Sequence, residues 1–376
     1  MRLTLRELEA LTRLGAAVLL TLDDARVAGQ EASSLQGRAQ ARLIIGQRLR
    51  QAVTDRAGLA GEARTLDRNE HVELRGAVGQ VERLEKRPDI ELIRLSDDKR
   101  KDAAARRDAL NSADAVILCL PDEAAIEAVS MIENPDVRVI DASTAFRTDP
   151  DWTYGFPEMS DDQRAAIVAS KRISNPGCHA TGFIALTRPL VEAGIIPSFF
   201  PITATSLTGY SGGGKSMIAE FEAGPKYGKG HERLYATGLA HKHLPEMTVY
   251  SGLESPPIFT PVVANFPQGL IVQVPLHLWA LPDEPDIDAV RNLLTAHYLG
   301  EPFVRVATAE ESAAAGAVHG AMLANTNQLL IHVFGNPDHD TANLVAVFDN
   351  LGKGASGAAV QNLNLVLGVE EGLGLI

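Results

Sequence analysis

The chain has 376 residues, 45% hydrophobic and 22% charged, a balance that favours a globular protein of two domains with ample chain to bury a core. A formal net charge of -13 speaks against nucleic-acid partners, because the average field repels a phosphate polymer, while leaving room for a small anion held by a few Arg or Lys. Cys119 and Cys178 are its only cysteines, too few for a zinc cluster or a disulfide framework, so a reducing cytoplasm is the expected compartment. The apolar stretch Leu14 to Leu22 is nine residues long, flanked by Glu7, Glu9, Asp23 and Asp24. A membrane span needs roughly 20 apolar residues, so this one reads as a helix segment and not as targeting.

Taken in chain order, two textures meet near residue 80. Residues 1–80 contain no proline and are rich in Ala, Arg, Leu, Glu and Gln, with charges interrupting the apolar stripe; they read as an atypical, poorly packed extension. From residue 81 short apolar runs alternate with helical stretches. VERLEKRPDIELIRL gives a helix end, a turn at Pro88 and a strand. Ala115 to Leu120 and Val137 to Asp141 are further buried strands. Beyond residue 200 strands lengthen and helices thin out (FPITATSL, GLIVQVPLHL, QLLIHVFG, ANLVAVFDN), which suits a second domain with a mainly antiparallel or mixed sheet. The end, DNLGKGASGAAVQNLNLVLG, is a Gly-rich turn running into a helix.

Four segments carry residues fit for chemistry. In Asn175-Pro176-Gly177-Cys178-His179 a tight turn leads into a helix that begins at or just after the cysteine. Unpaired amides and the positive dipole end would favour a thiolate nucleophile there; the competing reading is a small buried hydrophobe. Cys119, inside the strand AVILCL, reads as core. His241-Lys242-His243-Leu244-Pro245-Glu246 offers an acid–base histidine, with a carboxylate near enough to orient an imidazole or bind substrate. With no third ligand at helical spacing, no metal site is expected there. Thr208 to Ser216 (TGYSGGGKS) matches the letters of a phosphate loop but lies mid-chain, and its glycines fit a close backbone approach to a cofactor or substrate better. Finally, Asp141 to Arg147 closes a strand with Ser143 and an arginine able to grip phosphate or carboxylate, or is a capping loop with a surface arginine.

Together LNSADAVILCLPDEAA, VRVIDASTAFR, YGFPEM, NPGCHATG, GYSGGGKSMI, HKHLPEM, QGLIVQVPLHL and DNLGKGASGAAVQN resemble the N-acetyl-γ-glutamyl-phosphate reductases of arginine biosynthesis, from about residue 81 to 368. The resemblance implies an α/β fold: a Rossmann-like NADP-binding domain (81–177 with 341–376) and an α+β catalytic domain of the glyceraldehyde-3-phosphate-dehydrogenase-like kind (178–340). It implies NADPH-dependent reduction of an acyl phosphate through a Cys178 thioester, with His243 as acid–base group. Arg147, Ser143, His241 and Glu246 would hold the small-molecule substrate. Pro121, Ser211, Gly213 and Asn350 would meet the cofactor, and the chain would form a homo-oligomer. Aspartate-semialdehyde dehydrogenases share this chemistry, but HKHLPE and GKGASGAAVQN fit the glutamyl family better. Residues 1–80 depart from the pattern: the family's opening strand and glycine-rich turn have their nearest match in His71 to Gly79, which carries only Gly-x-x-Gly. Either that stretch is a genuine extension, or unrelated sequence from a wrongly placed reading frame replaces the first strand. The break leaves open a cofactor-independent Cys/His acyl-transfer enzyme and a catalytically silent homologue.

Overall fold

The computed structural model describes residues 41–45, 84–96, 99, 102–225 and 230–375. Leu14 to Leu22 and the Gly-x-x-Gly stretch at 71–79 lie outside them.

Among the described residues six strands form the first sheet: β1 Ala41–Ile45, β2 Ile90–Ile93, β3 Ala115–Leu118, β4 Arg138–Asp141, β5 Thr153–Tyr154 and β6 Arg172–Ser174, in the order β2-β1-β3-β4-β6-β5. Every pairing is parallel. A parallel strand must be covered on both faces, which is why β3 is a continuous apolar run, AVIL, buried at all its positions. The helices α1 Ala103–Ser112, α2 Asp122–Ser130 and α3 Gln163–Ala169 alternate with these strands. Asp102 starts α1 by accepting from the amides of Ala104 and Ala105. Placing β1 between β2 and β3 gives the doubly wound pattern, whose ligand crevice lies at the carboxyl ends where strand order reverses. The strand in that central place comes from the atypical first 80 residues. Leu43-Ile44-Ile45 is a short apolar run stopped by Gly46, and such a run serves as a strand as readily as a piece of helix.

The second sheet has seven strands: β7 Thr203–Gly209, β8 Arg233–Leu234, β9 Ile258–Ala264, β10 Leu270–His277, β11 Val304–Val306, β12 Leu329–Asn336 and β13 Thr341–Phe348, ordered β11-β12-β13-β10-β7-β9-β8. It is mixed: β7 with β9 and β11 with β12 are parallel, the rest antiparallel. Along β10, Leu270, Val272, Val274 and Leu276 face inward and alternate with more exposed residues, so one face is packed. On that face lies α4 Cys178–Glu192, most of whose residues are buried. Gly182 makes the close approach possible, because a Cβ there would strike Val272 and Phe348. The remaining helices are α5 Gly214–Glu222, α6 Leu244–Ser251, α7 Ile287–His297, α8 Ala309–Ala315 and α9 Gly357–Leu367.

The return to the first sheet expected from residue 341 starts later. β13 pairs along its whole length with β10 and β12, in the middle of the second sheet, because its register with β10 buries Leu344, Ala346 and Phe348 there. It is α9 that crosses back, packing Ala359, Val360 and Leu363 against Leu84, Ile90, Ile117, Ile140, Ile167 and Ile173. A π-wound turn, Gly352–Ser356, joins the two. Among the described residues no helix is long and apolar enough to cross a membrane.

Candidate active site

Cys178 is the first residue of α4, and Gly177 is its N-cap. The turn before it is bound from several sides. The Asn175 amide donates to the Asp141 carbonyl at 2.7 Å, and Gly177 N donates to Glu246 Oε2 at 3.0 Å. A Cβ on Gly177 would collide with Arg147 Nη1, Glu246 Oε1 and His243 Nε2, so this glycine is where those three side chains converge. The residues come from positions 147, 177, 243 and 246, brought together by the loop after β4, the start of α4 and the start of α6.

Glu246 is 1% exposed, and both oxygens of its carboxylate accept bonds from the protein. Oε1 accepts from Arg147 Nη1 at 2.6 Å; Oε2 accepts from Tyr154 Oη at 2.7 Å and from the Gly177 amide. Tyr154 stacks on Tyr250, whose hydroxyl donates to the Arg147 carbonyl at 2.6 Å. Arg147 also donates from Nε to the Asn175 carbonyl and from Nη2 to the Ala142 carbonyl. Of its five N–H groups, one on each terminal nitrogen remains for a ligand. Ser143 turns inward: Oγ donates to Asp141 Oδ2 and accepts from the Ala145 amide.

The sulfur of Cys178 and ring nitrogens of His179 and His243 all lie within 4.8 Å of one another. A third histidine therefore does stand beside the pair found by spacing, because the fold turns His179 toward His243. Both nitrogens of His179 are engaged, Nε2 with Tyr235 Oη at 2.7 Å and Nδ1 with Ser206 Oγ at 3.0 Å, so Cys178 and His243 keep the open donors. His243 is 5% exposed, and its Nδ1 has no hydrogen-bond partner among the described residues. His241 sits edge-on to it with ring centroids 4.7 Å apart, and its Nδ1 accepts from the His243 amide at 3.1 Å.

Burial sets the protonation states. It pushes the Cys178 thiol up to about 11, against the pull of the Arg147 guanidinium and the His179 amide. The helix end alone favours thiolate, but in the closed turn desolvation is the larger effect. Burial, then Arg147 and the neighbouring histidines, hold His243 well below its ordinary value. Burial and Lys242 bring His241 down to about 4. The resting site is a neutral thiol beside a neutral imidazole with an open ring nitrogen, an arrangement that can pass a proton from sulfur to nitrogen as the sulfur attacks.

Two of the residues expected at a cofactor are in contact: Asn350 Nδ2 donates to Ser211 Oγ at 3.1 Å, and Asn350 Oδ1 accepts from the Gly269 amide at 2.8 Å. Gly213 closes the same 3-10 turn, Tyr210–Gly213, which leads into α5. TGYSGGGKS thus does follow a strand and open a helix, but in the second sheet. Pro121 is elsewhere, capping α2 at the carboxyl end of β3, where Asp122 accepts from the Thr144 amide of the Arg147 loop. At the same sheet edge Asp141 Oδ1 and Ser174 Oγ are buried without partners among the described residues. A parallel sheet whose carboxyl edge carries open polar atoms fits a dinucleotide. The turn after β1, where a pyrophosphate would rest in such a sheet, is outside the described residues.

Comparison with known proteins first defines the class. Residues 72–167 match the family described as semialdehyde dehydrogenase, NAD binding domain, and 178–350 match the semialdehyde dehydrogenase, dimerisation domain. The first match begins downstream of β1. Aspartate semialdehyde dehydrogenase II from Vibrio cholerae has the same fold, with a TM-score of 0.59 at 16% identity, covering 88% of this chain and 98% of that one. The aspartate semialdehyde dehydrogenase of Candida albicans, solved with NADP, gives 0.54 at 13% identity, covering 88% and 99%. Sequence relatives are narrower: N-acetyl-gamma-glutamyl-phosphate reductase 2 of Nostoc sp. is 49% identical over 306 residues, 78% of this chain and 94% of that protein. The N-acetyl-gamma-glutamyl-phosphate reductase of Allorhizobium ampelinum is 48% identical over 288 residues, 76% and 93%. The chain belongs to the N-acetyl-γ-glutamyl-phosphate reductase family.

Proposed function

We propose that this chain reduces N-acetyl-γ-glutamyl phosphate to N-acetyl-glutamate semialdehyde with NADPH, in arginine biosynthesis, through a thioester on Cys178. The observation that carries this reading is the closeness of Cys178 and His243 at the start of α4, beside a buried arginine with N–H groups to spare, in a chain of this family. His243 takes the thiol proton as Cys178 Sγ bonds to the acyl carbon, and the carbon–oxygen bond to phosphate breaks. The free N–H groups of Arg147, with His241, meet the anionic groups of the substrate; Ser143 contributes after releasing Asp141. When bound, NADPH supplies the hydride that reduces the thioester carbon. The carbon–sulfur bond then breaks, the carbonyl re-forms, and the proton held by His243 returns to the sulfur. Pro121, Ser211, Gly213 and Asn350 would lie along the cofactor. The match to a dimerisation domain supports a homo-oligomer, and the paucity of cysteines a cytoplasmic site.

The test is the reverse reaction on the full-length chain: N-acetyl-glutamate semialdehyde, phosphate and NADP+ should yield NADPH, seen by absorbance. Acyl release without any nicotinamide dependence would favour a Cys/His acyl-transfer enzyme. A folded chain that leaves NADPH fluorescence unchanged in titration would mark a silent homologue.

A further inference from the structure

The π-wound turn Gly352–Ser356 runs past the nucleophile. Gly354 lies so close that a Cβ there would be 2.9 Å from Cys178 Cβ, and the Asn175 side chain donates to the Ala355 carbonyl at 3.0 Å. Two residues upstream of the turn is Asn350, bonded to Ser211. The turn therefore links the N-P-G-C segment to the corner expected to meet the nicotinamide. Its winding is unusual: Gly354 N reaches the Asp349 carbonyl and Ser356 N the Leu351 carbonyl, both at 2.9 Å and both over five residues. Such single π turns are rare and persist where something holds them.

Within Gly352-Lys353-Gly354-Ala355-Ser356, Lys353 is the one long side chain. It is 1% exposed, and its ammonium spends all three protons: on both oxygens of Glu158 and on Gln361 Oε1, each at 2.7 Å. The charge also lies over the rings of Phe156 and Phe303, 5.3 and 5.8 Å away. Glu158 itself is 0% exposed and takes a further bond from Gln361 Nε2 at 2.8 Å. Phe156 and Glu158 follow β5 of the first sheet, Gln361 is on α9, and Phe303 precedes β11 of the second. The pair thus sits at the seam between the two sheets. A fully buried ion pair adds little net stability over apolar residues of the same size, so stability alone is a weak reason for it; fixing one geometry is the better-supported use.

We propose that Lys353 and Glu158 are positioning residues: they pin the π turn as a strut between the Cys178 turn and the Ser211–Asn350 corner. The strut sets the distance between the carbon carried by Cys178 and the hydride donor. This inference rests on the reductase reading. Without the pin, the cysteine keeps its Arg147, Glu246 and His243 surroundings, while the cofactor corner drifts relative to it.

The test uses the full chain with K353M/E158L, which replaces both charges by apolar groups and leaves neither stranded. The expected result is a folded protein whose Cys178, followed by peptide mass, is alkylated by iodoacetamide at close to the wild-type rate in the absence of NADPH. Turnover should fall about 30- to 100-fold, the scale of an ångström-sized misplacement, with a larger primary isotope effect from deuterated NADPH and little change in KM. Wild-type turnover and isotope effect in the folded double variant would overturn the proposal. So would alkylation lost in step with turnover, which would make the pair a support of the cysteine site only. If the double variant does not fold, E158Q, which keeps the shape and an acceptor for Lys353, reads the same contrast at smaller amplitude. Absence of NADPH-dependent turnover in the wild-type chain would instead sink the reductase reading.

Discussion

Arg147 with Glu246, and His243 with Cys178, meet at the same turn, and the two pairs differ in how their polar groups are spent. In the first, Glu246 binds Arg147, Tyr154 and the Gly177 amide, and Arg147 braces two backbone carbonyls as well. In the second, His243 Nδ1 has no partner among the described residues, and the sulfur lies within 4.8 Å of a ring nitrogen. Groups committed to the protein hold geometry, while an uncommitted donor or acceptor can exchange a proton without first breaking a bond to the protein.

The contrast can be tested side by side. C178A should show the largest effect, about 10⁴-fold or more lost in turnover, with NADPH titration unchanged; a tenth of the original rate surviving would show that the sulfur is not the nucleophile. H243N should cost about 10²- to 10⁴-fold. The uncommitted pair also has a pH signature. With the thiol pushed up to about 11, alkylation of Cys178 in the free chain should rise about tenfold per pH unit between about 7 and 10. A plateau already reached near neutrality would instead reveal a thiolate–imidazolium pair.

At the braced pair, G177A would drive a methyl into Arg147, Glu246 and His243 together, with an expected loss of about 1–3 kcal/mol in stability and a clear fall in kcat. E246Q keeps the shape but replaces an acceptor by a donor facing Tyr154 and Gly177 or Arg147; about a tenfold loss is expected, mostly in kcat. If it raised KM alone, Glu246 would be a substrate ligand and not a brace. A separate effect, on stability alone, concerns Asp141. Burial raises it from 3.8 to about 6, with Ser143 and Arg147 opposing. A carboxyl raised on folding contributes stability that is full below its unfolded value and is lost as pH rises through about 6. D141N should therefore melt higher than wild type above pH 6, by about 2 kcal/mol, and the gap should close toward pH 4. An unchanged gap across that range would place the Asp141 proton elsewhere.

Much of the fold and of the site is legible in the amino-acid sequence. The strands AVIL and RVID, the helix beginning at Cys178 and the long strands after residue 200 are local patterns of apolar spacing, and they lie where that spacing puts them. Cys178 and the HKHLPE histidines stand out because a turn into a helix and a titratable pair are also local. His179 is hidden: beside a cysteine it has no feature of its own, and only β7 and β8 bring it Ser206 and Tyr235. Lys353 is hidden too, since a lysine in a glycine-rich turn looks solvated until Glu158, 195 positions away, closes on it.

Sequence alone determined the class of fold, the nucleophile's turn and the family, because backbone propensity, side-chain periodicity and motif order are properties of neighbours along the chain. Tertiary structure decided what the charges do. The helix start at Cys178 favours thiolate, and burial reverses that; Glu246 looks free to bind substrate, and its three partners claim it. Solvation and charge pairing depend on distances between residues remote in the chain, and the local dielectric that weights them exists only once the core has closed.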